Sequence, residues 1–400
     1  MLNPQTKERE LVYVVKVDSI EPIEGKDRVE CARVGGWTCM VPKGQFHAGD
    51  LGVYFEIDSR TPAAAPFEFL EKRNYKIKTQ KFKAGEGHFY SQGLLMAFED
   101  FGWESDKYEE GTFLTKELGV VYAEDADNKR KASTGDKYKK MAQRHPELFK
   151  KRPIRWLMRR TWGKKLLFLF LGKKRDKKNA WPAWVVKTDE ERIQNLTHMI
   201  PSFREEKWYA TEKIDGTSTT FTMKGWGRKR EFYVCSRNVV FDKPDKKCFY
   251  ETNVYTEMAE KYDMEYVLEC LMEYFSNTTG DDIAFVTVQG ETYGAGVQKR
   301  DYSIKDHDLA VFNVIYGLSN GTTKRLNPFE MQKLMNNFAV PTVPIIGEVE
   351  IPETCAEILE MAAGASALDG LPREGIVFRT TDGAKSFKAV DNGFLMKYHG

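Results

Sequence analysis

The 400-residue sequence contains no long apolar run. Its longest uninterrupted apolar stretch covers residues 166–171, and six residues cannot cross a bilayer, which needs about 20. The N-terminal residues MLNPQTKE lack the apolar core of a secretory signal. We therefore expect neither stable membrane association nor export.

Cysteine and histidine are scarce and scattered. The cysteines include no Cys-x-x-Cys pair, which argues against a disulfide framework and against a zinc ribbon. Reduced thiols of this kind predict a cytoplasmic protein, or one in another reducing intracellular compartment. The six histidines are equally dispersed, so no histidine-based metal site is predicted. The cysteines are Cys31, Cys39, Cys235, Cys248, Cys270 and Cys355.

The sequence does contain enough apolar material for packed cores. Hydrophobic residues make up 41% of the chain and charged residues 30%, which excludes wholesale disorder. At about 150 residues per domain, this length predicts two or three domains.

Positive charge is concentrated in one segment. Lys129–Lys178 holds 20 lysines and arginines against three acidic residues, a net charge of +17, which leaves −15 for the rest of the chain. Such a block favours a polyanionic partner, with interleaved aromatic rings on which bases could stack. A solvated linker and a basic helix on a membrane surface are alternatives that composition leaves open. The aromatic residues are Tyr138, Phe149, Trp156, Trp162, Phe168 and Phe170.

The basic segment divides the chain into three parts. Residues 1–120 contain short β-rich runs separated by glycine turns, which is typical of a small closed barrel. Residues 121–185 form the basic insert or linker. Residues 186–400 alternate between strand-like and helix-like patterns, with helical spacing over 256–275, 328–338 and 354–363.

Candidate chemistry begins at Lys213, in the run TEKIDGTS between two β-rich stretches. A lysine near a strand end can reach into a pocket, although K-x-D-G alone is a weak signal. Two later acids also sit at strand ends, Glu291 in QGETYG and Glu374 in EGIVFR, and Lys388 follows them. A lysine, two acids and a second lysine are the groups that nucleotidyl transfer needs.

In this order the motifs resemble those of the covalent nucleotidyltransferases, which comprise RNA ligases, DNA ligases and mRNA capping enzymes. The chain is most similar to ATP-dependent RNA ligases with an N-terminal OB module, through DEERIQN at 189–195 and the stretch 20–30. Ser386 departs from the family, which often has a lysine there; Lys385 or Lys397 could replace it. The resemblance implies an α+β fold: an OB-type β-barrel followed by a nucleotidyltransferase domain of antiparallel sheets and helices.

The resemblance also implies a role for each matching residue, with ATP and Mg²⁺ (or Mn²⁺) as cofactors. Lys213 would attack the α-phosphorus of ATP as a neutral amine, favoured by neighbouring cations, and Lys388 and Arg192 would offset the triphosphate charge. Asp215, Glu291 and Glu374 would hold the metal, partly through water. The remaining nucleotide contacts would come from Gly216 of K-x-D-G, Glu212 at the adenine edge, Arg237 and Glu291 at the ribose, and Phe312 stacked on the base.

The predicted function is an ATP-dependent RNA ligase that joins 3′-OH and 5′-phosphate ends through a lysyl-AMP intermediate. Its partner would be RNA or an RNA-containing nicked duplex, with no obligatory protein partner. A DNA ligase, a capping-type guanylyltransferase and a non-catalytic RNA-binding protein with this fold are the alternatives. By itself, Phe312 is more typical of a core residue than of a base-stacking one, and Arg192 could form a helix-surface ion pair with Asp189 or Glu190.

Overall fold

The computed structural model describes residues 1–3, 5–6, 9–123, 181–187, 189–241 and 252–399, with isolated positions between 124 and 180. The predicted basic segment Lys129–Lys178 therefore lies outside the described residues, apart from those isolated positions. Among the helices of the described residues, none has the length and apolar character that spanning a membrane requires.

The N-terminal module consists of short strands. Leu11, Val12 and Val14 are buried, as are Val53 and Phe55 on the partner strand, which explains why these runs pair and pack. The strands are β1 (Val12–Lys16), β2 (Ser19–Pro22), β3 (Val29–Val34), β4 (Trp37–Pro42), β5 (Leu51–Phe55), β6 (Ser59–Arg60), β7 (Gln80–Ala84), β8 (Gly87–Ser91), β9 (Leu94–Met96) and β10 (Val121–Tyr122).

These strands form separate ladders, β1-β5-β9 and β2-β3-β4, with the hairpins β7-β8 and β6-β10. The chain changes sheet between two consecutive residues: the Val17 amide donates to Asp50, whereas the Asp18 amide donates to Arg33. Within the described residues the expected closed barrel is therefore not a continuous hydrogen-bonded ladder. The two three-stranded sheets nevertheless share one core, in which Tyr13 and Tyr54 of one sheet pack with Trp37 of the other.

The C-terminal part contains two larger sheets, in the orders β11-β21-β20-β12-β19 and β15-β14-β13-β16-β17-β18. All neighbouring strands are antiparallel except the β11–β21 pair. The strands are β11 (Glu191–Arg192), β12 (Trp208–Lys213), β13 (Thr217–Lys224), β14 (Glu231–Ser236), β15 (Val240–Phe241), β16 (Ile283–Gly294), β17 (His307–Leu318), β18 (Thr323–Arg325), β19 (Ile345–Val349), β20 (Gly375–Thr380) and β21 (Ser386–Val390).

The helices carry their start signals in the sequence. Two helices, Pro328–Asn336 and Cys355–Ala362, begin with capping boxes formed by Asn327 with Glu330 and by Thr354 with Glu357. This confirms the helices predicted from 328 and 354. The single helix predicted over 256–275 is instead two helices, because Asp263 has φ 44° and breaks the run. The helices are α1 (Ile200–Phe203), α2 (Val254–Lys261), α3 (Met264–Thr279), α4 (Pro328–Asn336), α5 (Cys355–Ala362) and α6 (Asn392–Phe394).

The two sheets present polar faces toward a cleft. On the five-stranded sheet, alternate residues such as Phe378 and Phe387 pack in a core, so the opposite face carries Lys213 and Lys388. On the six-stranded sheet the polar face is partly covered by residues 181–187. Trp184 Nε1 donates to the Thr222 hydroxyl at 3.1 Å, and Gln289 Nε2 donates to the Val186 carbonyl at 2.7 Å.

The N-terminal module packs directly on the C-terminal part. Val390 at the end of β21 and Leu395 after α6 belong to the same core as Tyr13 and Trp37. Because apolar residues from both ends of the chain are buried together, we expect the module to help fix the position of β21.

Candidate active site

Lys213 lies at the end of β12, opposite Gly375 at the start of β20. This register places the lysine beside Glu374, and its Nζ lies 2.7 Å from Glu374 Oε2. The two side chains are 25% and 10% exposed, so the pair is largely removed from water but still accessible from the cleft. The structure thus brings together the predicted nucleophile and the acid 161 residues later.

Two further predicted acids act on the same lysine. Glu291 on β16 and Asp215 lie close enough for their negative charges to raise the pKa of Lys213. Burial raises the pKa of Glu291 to about 8, and the charges of Glu374 and Asp215 add to that effect. The Asp215 amide donates to the Tyr302 hydroxyl at 2.7 Å, which fixes the backbone of the K-x-D-G turn.

The acids around Lys213 control the pKa of its ammonium. Burial alone would lower the pKa of its ammonium, but the charges of Glu374 and Glu291 outweigh burial and raise it above its usual range. The charges of the protein's own acids thus favour the ammonium form, and attack as a neutral amine, expected with a bound Mg²⁺ and neighbouring cations, remains a prediction.

The acids around Lys213 suit a hard divalent cation. Three acids surround one ammonium, and oxygen ligands are those that Mg²⁺ prefers. Glu291, whose pKa is raised to about 8, would give up its proton more readily with a cation bound beside it. Within the described residues, no group of three or more His, Cys, Asp or Glu side chains is already arranged to ligate a metal. Ligation of a metal by Asp215, Glu291 and Glu374, partly through water, remains a prediction.

Gly216 is required by close packing. A Cβ at this position would lie 2.4 Å from the Thr292 carbonyl oxygen and 2.9 Å from Glu291 Cγ. The missing side chain lets the turn after Lys213 pack directly on β16. Gly375 is similar, because its Cβ would lie 2.1 Å from the Ala389 carbonyl oxygen.

We expect Gly216→Ala to lower the free energy of unfolding by about 1–3 kcal/mol, because the added methyl group would force the turn away from β16. Urea unfolding followed by fluorescence measures this change. Gly87→Ala is the matched control, since its nearest contact would be an ordinary 3.7 Å to the Ala84 carbonyl oxygen. Superimposable unfolding curves for Gly216→Ala and the parent protein would contradict the packing argument.

Glu212 precedes the nucleophile and is 3% exposed. Its Oε2 accepts a hydrogen bond from the Ala367 amide at 2.9 Å, whereas its Oε1 is buried without a hydrogen-bond partner among the described residues. A buried carboxylate oxygen without a donor is costly unless a ligand supplies one. Glu212 therefore offers a ready acceptor next to Lys213.

Asp189 brings together Lys388, which was predicted to act on the triphosphate, and Arg237, which was predicted to contact the ribose. Its Oδ1 accepts from Lys388 Nζ at 2.9 Å, and its Oδ2 accepts from Arg237 Nη2 at 2.7 Å and from Arg9 Nε at 3.0 Å. Burial would raise the pKa of Asp189, but these three cations hold it well below its usual range. The sequence suggested Lys388 and Arg237 but gave Asp189 no role in the site.

Arg9 links the N-terminal module to this cluster. Besides Asp189, its guanidinium contacts Glu56 Oε2 at 3.0 Å, the Glu190 carbonyl at 3.3 Å and Glu191 Oε1 at 3.5 Å. The Arg9 side chain is 5% exposed. No sequence pattern indicated this residue, because its partners are 47 to 182 positions away.

Arg192 lies in β11 and not on a helix, so the alternative of a helix-surface ion pair does not hold, and its contact with the triphosphate remains a prediction. Its guanidinium contacts Asp58 at 3.3 Å and lies 6.0 Å from the centre of the Trp37 ring. Its backbone pairs with Lys388 in the parallel β11–β21 register. Arg192 is therefore held by the N-terminal module at the side of the candidate site.

Phe312 is partly buried and packs against the core beneath the six-stranded sheet. Its carbonyl accepts from Arg379 Nη1 at 3.3 Å, which ties β17 to β20. Stacking of Phe312 on a base remains a prediction.

Comparison with known proteins identifies both domains. Residues 206–399 match RNA ligase, and residues 11–97 match an OB-fold domain. Residues 206–399 thus form an RNA ligase domain. The fold is therefore the predicted one, an N-terminal OB-fold domain followed by an RNA ligase domain, and the protein is a polynucleotide-joining enzyme by virtue of that domain.

Solved structures of the Naegleria gruberi RNA ligase are similar over the whole chain. The structure with pyrophosphate has a TM-score of 0.70 and 25% identity, and covers 98% of this chain and 99% of that one. A variant with ATP and Mn has a TM-score of 0.69 and 25% identity, with 98% and 100% covered. A variant with AMP and Mn has a TM-score of 0.69 and 26% identity, with 98% and 99% covered. No curated protein matches the sequence.

Proposed function

We propose that the protein is an ATP-dependent RNA ligase that joins 3′-OH and 5′-phosphate ends through lysyl-AMP on Lys213. The observation that carries this proposal is the Lys213–Glu374 contact of 2.7 Å on the sheet face that also bears Lys388. A buried lysine among acids, beside a second set of cations, suits attack on a phosphate whose leaving group must be neutralised.

The first step forms a bond between Lys213 Nζ and the α-phosphorus of ATP and breaks the bond to pyrophosphate. The ammonium must lose a proton before it attacks, and Glu374 Oε2 lies within hydrogen-bond distance to take it. Lys388 and Arg192 would offset the charge of the leaving pyrophosphate. AMP would then pass to an RNA 5′-phosphate, and a 3′-OH would attack that end and release AMP.

Asp215, Glu291 and Glu374 would hold Mg²⁺ or Mn²⁺, partly through water. When bound, the metal would neutralise charge on the phosphate oxygens and on the three acids. The ATP-bound and AMP-bound Naegleria gruberi structures that contain Mn support this choice of nucleotide and metal.

A ligation panel tests the function directly. The purified protein should form a covalent adduct with α-labelled ATP, and should seal nicks with an RNA 3′-OH end. Equal or better sealing of all-DNA nicks would favour the DNA ligase alternative. Adduct formation with GTP alone would favour the capping alternative, and absence of any adduct would favour a non-catalytic protein.

Glu212 explains why ATP should be preferred over GTP. The exocyclic amine of adenine is a donor that suits the unpaired Oε1, whereas guanine presents a carbonyl oxygen at the corresponding position. Two acceptors facing each other in a buried site repel. The preference should therefore depend on the acceptor character of this one oxygen.

Glu212→Gln should lower kcat/KM for adenylylation by ATP about 10–100-fold, because a buried mismatch costs about 1–3 kcal/mol. Its amide oxygen would keep the Ala367 hydrogen bond and turn the NH₂ group toward the base. Use of GTP should rise relative to ATP, which adduct formation with each labelled nucleotide measures. An unchanged ratio of ATP to GTP would contradict the assigned contact.

The triphosphate contacts should depend on Asp189. Burial lowers the pKa of Lys388 to about 8; Asp189 opposes this shift, whereas the charges of Arg9, Arg192 and Lys213 reinforce it. Phosphate binding needs the ammonium form, so it is lost as the pH rises through this pKa. Removal of the Asp189 charge should lower the pKa of Lys388 further.

We expect Asp189→Asn to move the alkaline loss of adenylylation to lower pH, measured at ATP concentrations below KM in single-turnover reactions. Asparagine keeps the side-chain volume and an acceptor oxygen, so the charge is the main change. Glu353→Gln is the control, because Glu353 pairs with Arg204 at the protein surface. An alkaline limb that stays in place in Asp189→Asn would show that Asp189 does not set the charge of Lys388.

The nucleic-acid partner is supported by the family and the OB fold. RNA ligase and OB-fold domains both act on or bind nucleic acid, so the protein is a nucleic-acid-binding protein. We propose RNA or an RNA-containing nicked duplex as the substrate. The basic segment Lys129–Lys178 would contact the phosphate backbone, a role that remains a prediction from its charge.

A further inference from the structure

A cationic cavity opens at the end of the cleft that lies away from Lys213. Its volume is about 430 Å³, and it lies between β18 and the turn that joins β20 to β21. Thr323, Lys324 and Arg325 form one wall, and residues 382–384 form the other. We call this space the Arg325 cavity.

The Arg325 cavity holds more positive charge than its neighbours balance. Arg379 lies behind Arg325, is 3% exposed and donates to Glu190 Oε1 at 2.8 Å. Glu190 is the only described acid whose charge acts on Arg325, whose side chain makes no hydrogen bond or ion pair with any described residue. Burial and the charge of Arg379 lower the pKa of Arg325 to about 10. Two guanidiniums thus share one carboxylate.

The acid that lines the cavity does not remove this excess. Asp382 accepts from the Thr380 hydroxyl at 2.6 Å and from the Ala384 amide at 3.0 Å. These bonds hold the carboxylate within its own turn but leave its negative charge, so Asp382 and Glu190 together balance two of the three positive charges of Lys324, Arg325 and Arg379. Arg379 Nε is also buried without an acceptor among the described residues. An anion entering the cavity would supply the acceptors that the arginines lack.

The position of the cavity follows from the strand register. Gly375, Val377 and Arg379 share one face of β20, with Lys213 opposite Gly375 and Lys388 opposite Val377. At about 3.4 Å per residue, Arg379 lies about 7 Å beyond the level of Lys388 and about 13 Å beyond that of Lys213. The cations therefore follow one another along the cleft, from the nucleophile to the cavity.

We propose that the Arg325 cavity is a second phosphate-binding site, which takes a backbone phosphate of the RNA substrate. The inference rests on the proposed function, because it takes RNA as the ligand. A guanidinium can bind a phosphate through two parallel hydrogen bonds, and Lys324 adds a mobile charge at the entrance. The Arg325 cavity lies about 13 Å along the sheet from Lys213. It would therefore contact the RNA strand at a phosphate some way from the ends that are joined.

The experiment compares Arg325→Gln and Arg325→Lys with the parent protein and with Arg228→Gln, which removes an exposed arginine outside the cavity. Affinity for a 5′-phosphorylated nicked RNA duplex is measured between low and moderate salt. Arg325→Gln should weaken binding about tenfold and reduce the slope of log K against log salt by about one unit. Arg325→Lys should keep the slope but lose part of the affinity, since one ammonium cannot bind bidentately. An unchanged affinity and slope in Arg325→Gln would overturn the proposal.

Two further measurements test whether the Arg325 cavity instead binds pyrophosphate or only stabilises the fold. If Arg325→Gln weakens pyrophosphate inhibition of adenylylation but leaves the RNA slope unchanged, the RNA assignment is wrong. The free energy of unfolding tests a structural role, since removal of a charge repelled by Arg379 should not destabilise the protein; a clear loss of stability with unchanged RNA binding overturns the proposal. Formation of the AMP adduct by the parent protein reports on the proposed function independently of both results.

Discussion

Lys213→Ala is expected to form no covalent AMP adduct, with a loss on the order of a thousand-fold or more, because the attacking amine is absent. Lys388, another amine on this face of the sheet, cannot replace it, since its Nζ is bound to Asp189 at 2.9 Å. Lys213→Arg should fail as well, because a guanidinium does not deprotonate at any pH that the protein tolerates. The measurement is gel detection of adduct from α-labelled ATP.

The control for this substitution must separate chemistry from folding. Lys229→Ala removes an exposed lysine of the same domain and should label at the parent rate. RNA that already carries a 5′-adenylate bypasses the first step, so Lys213→Ala should still seal it if the protein is folded. Adduct formation by Lys213→Ala would disprove the assignment of the nucleophile. Failure to seal adenylated RNA would instead indicate damage to the site, because Glu374 loses its ion-pair partner.

The chemistry near Lys213 could be predicted because each part lies at a strand end. Motif residues such as Lys213, Glu291 and Glu374 are local signals, and antiparallel pairing of neighbouring strands brings such ends together. A motif glycine also predicts close packing of the backbone, and Gly216 indeed leaves room for the Thr292 carbonyl. The RNA ligase family and the OB fold were therefore accessible from sequence, and the comparisons confirm them.

The electrostatic arrangement could not be predicted, because it depends on contacts between distant segments. Arg9 reaches Asp189 across 180 positions, and Arg192 pairs with Asp58 and not with its own neighbours. The raised pKa of Lys213 follows from which charges lie nearest, which motif order does not reveal. The helix break at Asp263 was not predicted for another reason. The helical spacing of apolar residues continues through this position, although its φ of 44° lies outside the helical range.

A buried ion pair outside the predicted motifs, between Arg300 and Asp369, supports the K-x-D-G turn that follows Lys213. Arg300 and Asp369 are 2% and 1% exposed in their side chains, and Arg300 also donates to the Pro372 carbonyl. The Arg300 guanidinium lies 4.1 Å from the centre of the Tyr302 ring, whose hydroxyl accepts from the Asp215 amide. The loop that carries Asp369 also supplies the Ala367 amide to Glu212. Arg300 thus contacts Tyr302, which holds the turn after Lys213. It also contacts the loop of Asp369, which holds Glu212 just before Lys213.

Arg300→Met should lower the free energy of unfolding by about 3–5 kcal/mol, because it leaves the Asp369 carboxylate buried without its counter-ion. Urea unfolding measures the loss. Arg33→Met is the control: it breaks an ion pair with Glu21 whose side chains are 49% and 45% exposed, and such surface pairs contribute less than about 1 kcal/mol. Equal losses in the two variants would show that burial does not set the cost.

The double variant Arg300→Met with Asp369→Leu separates stability from positioning. Buried ion pairs can often be replaced by apolar groups at little cost, and here Arg300 Nε and Asp369 Oδ2 have no hydrogen-bond partner among the described residues. We therefore expect the double variant to regain most of the lost stability. Adenylylation should stay impaired, with KM for ATP raised, because the ring of Tyr302 loses the guanidinium packed on it and the loop next to Glu212 loses its anchor. Full recovery of both stability and KM would show that the pair serves folding alone.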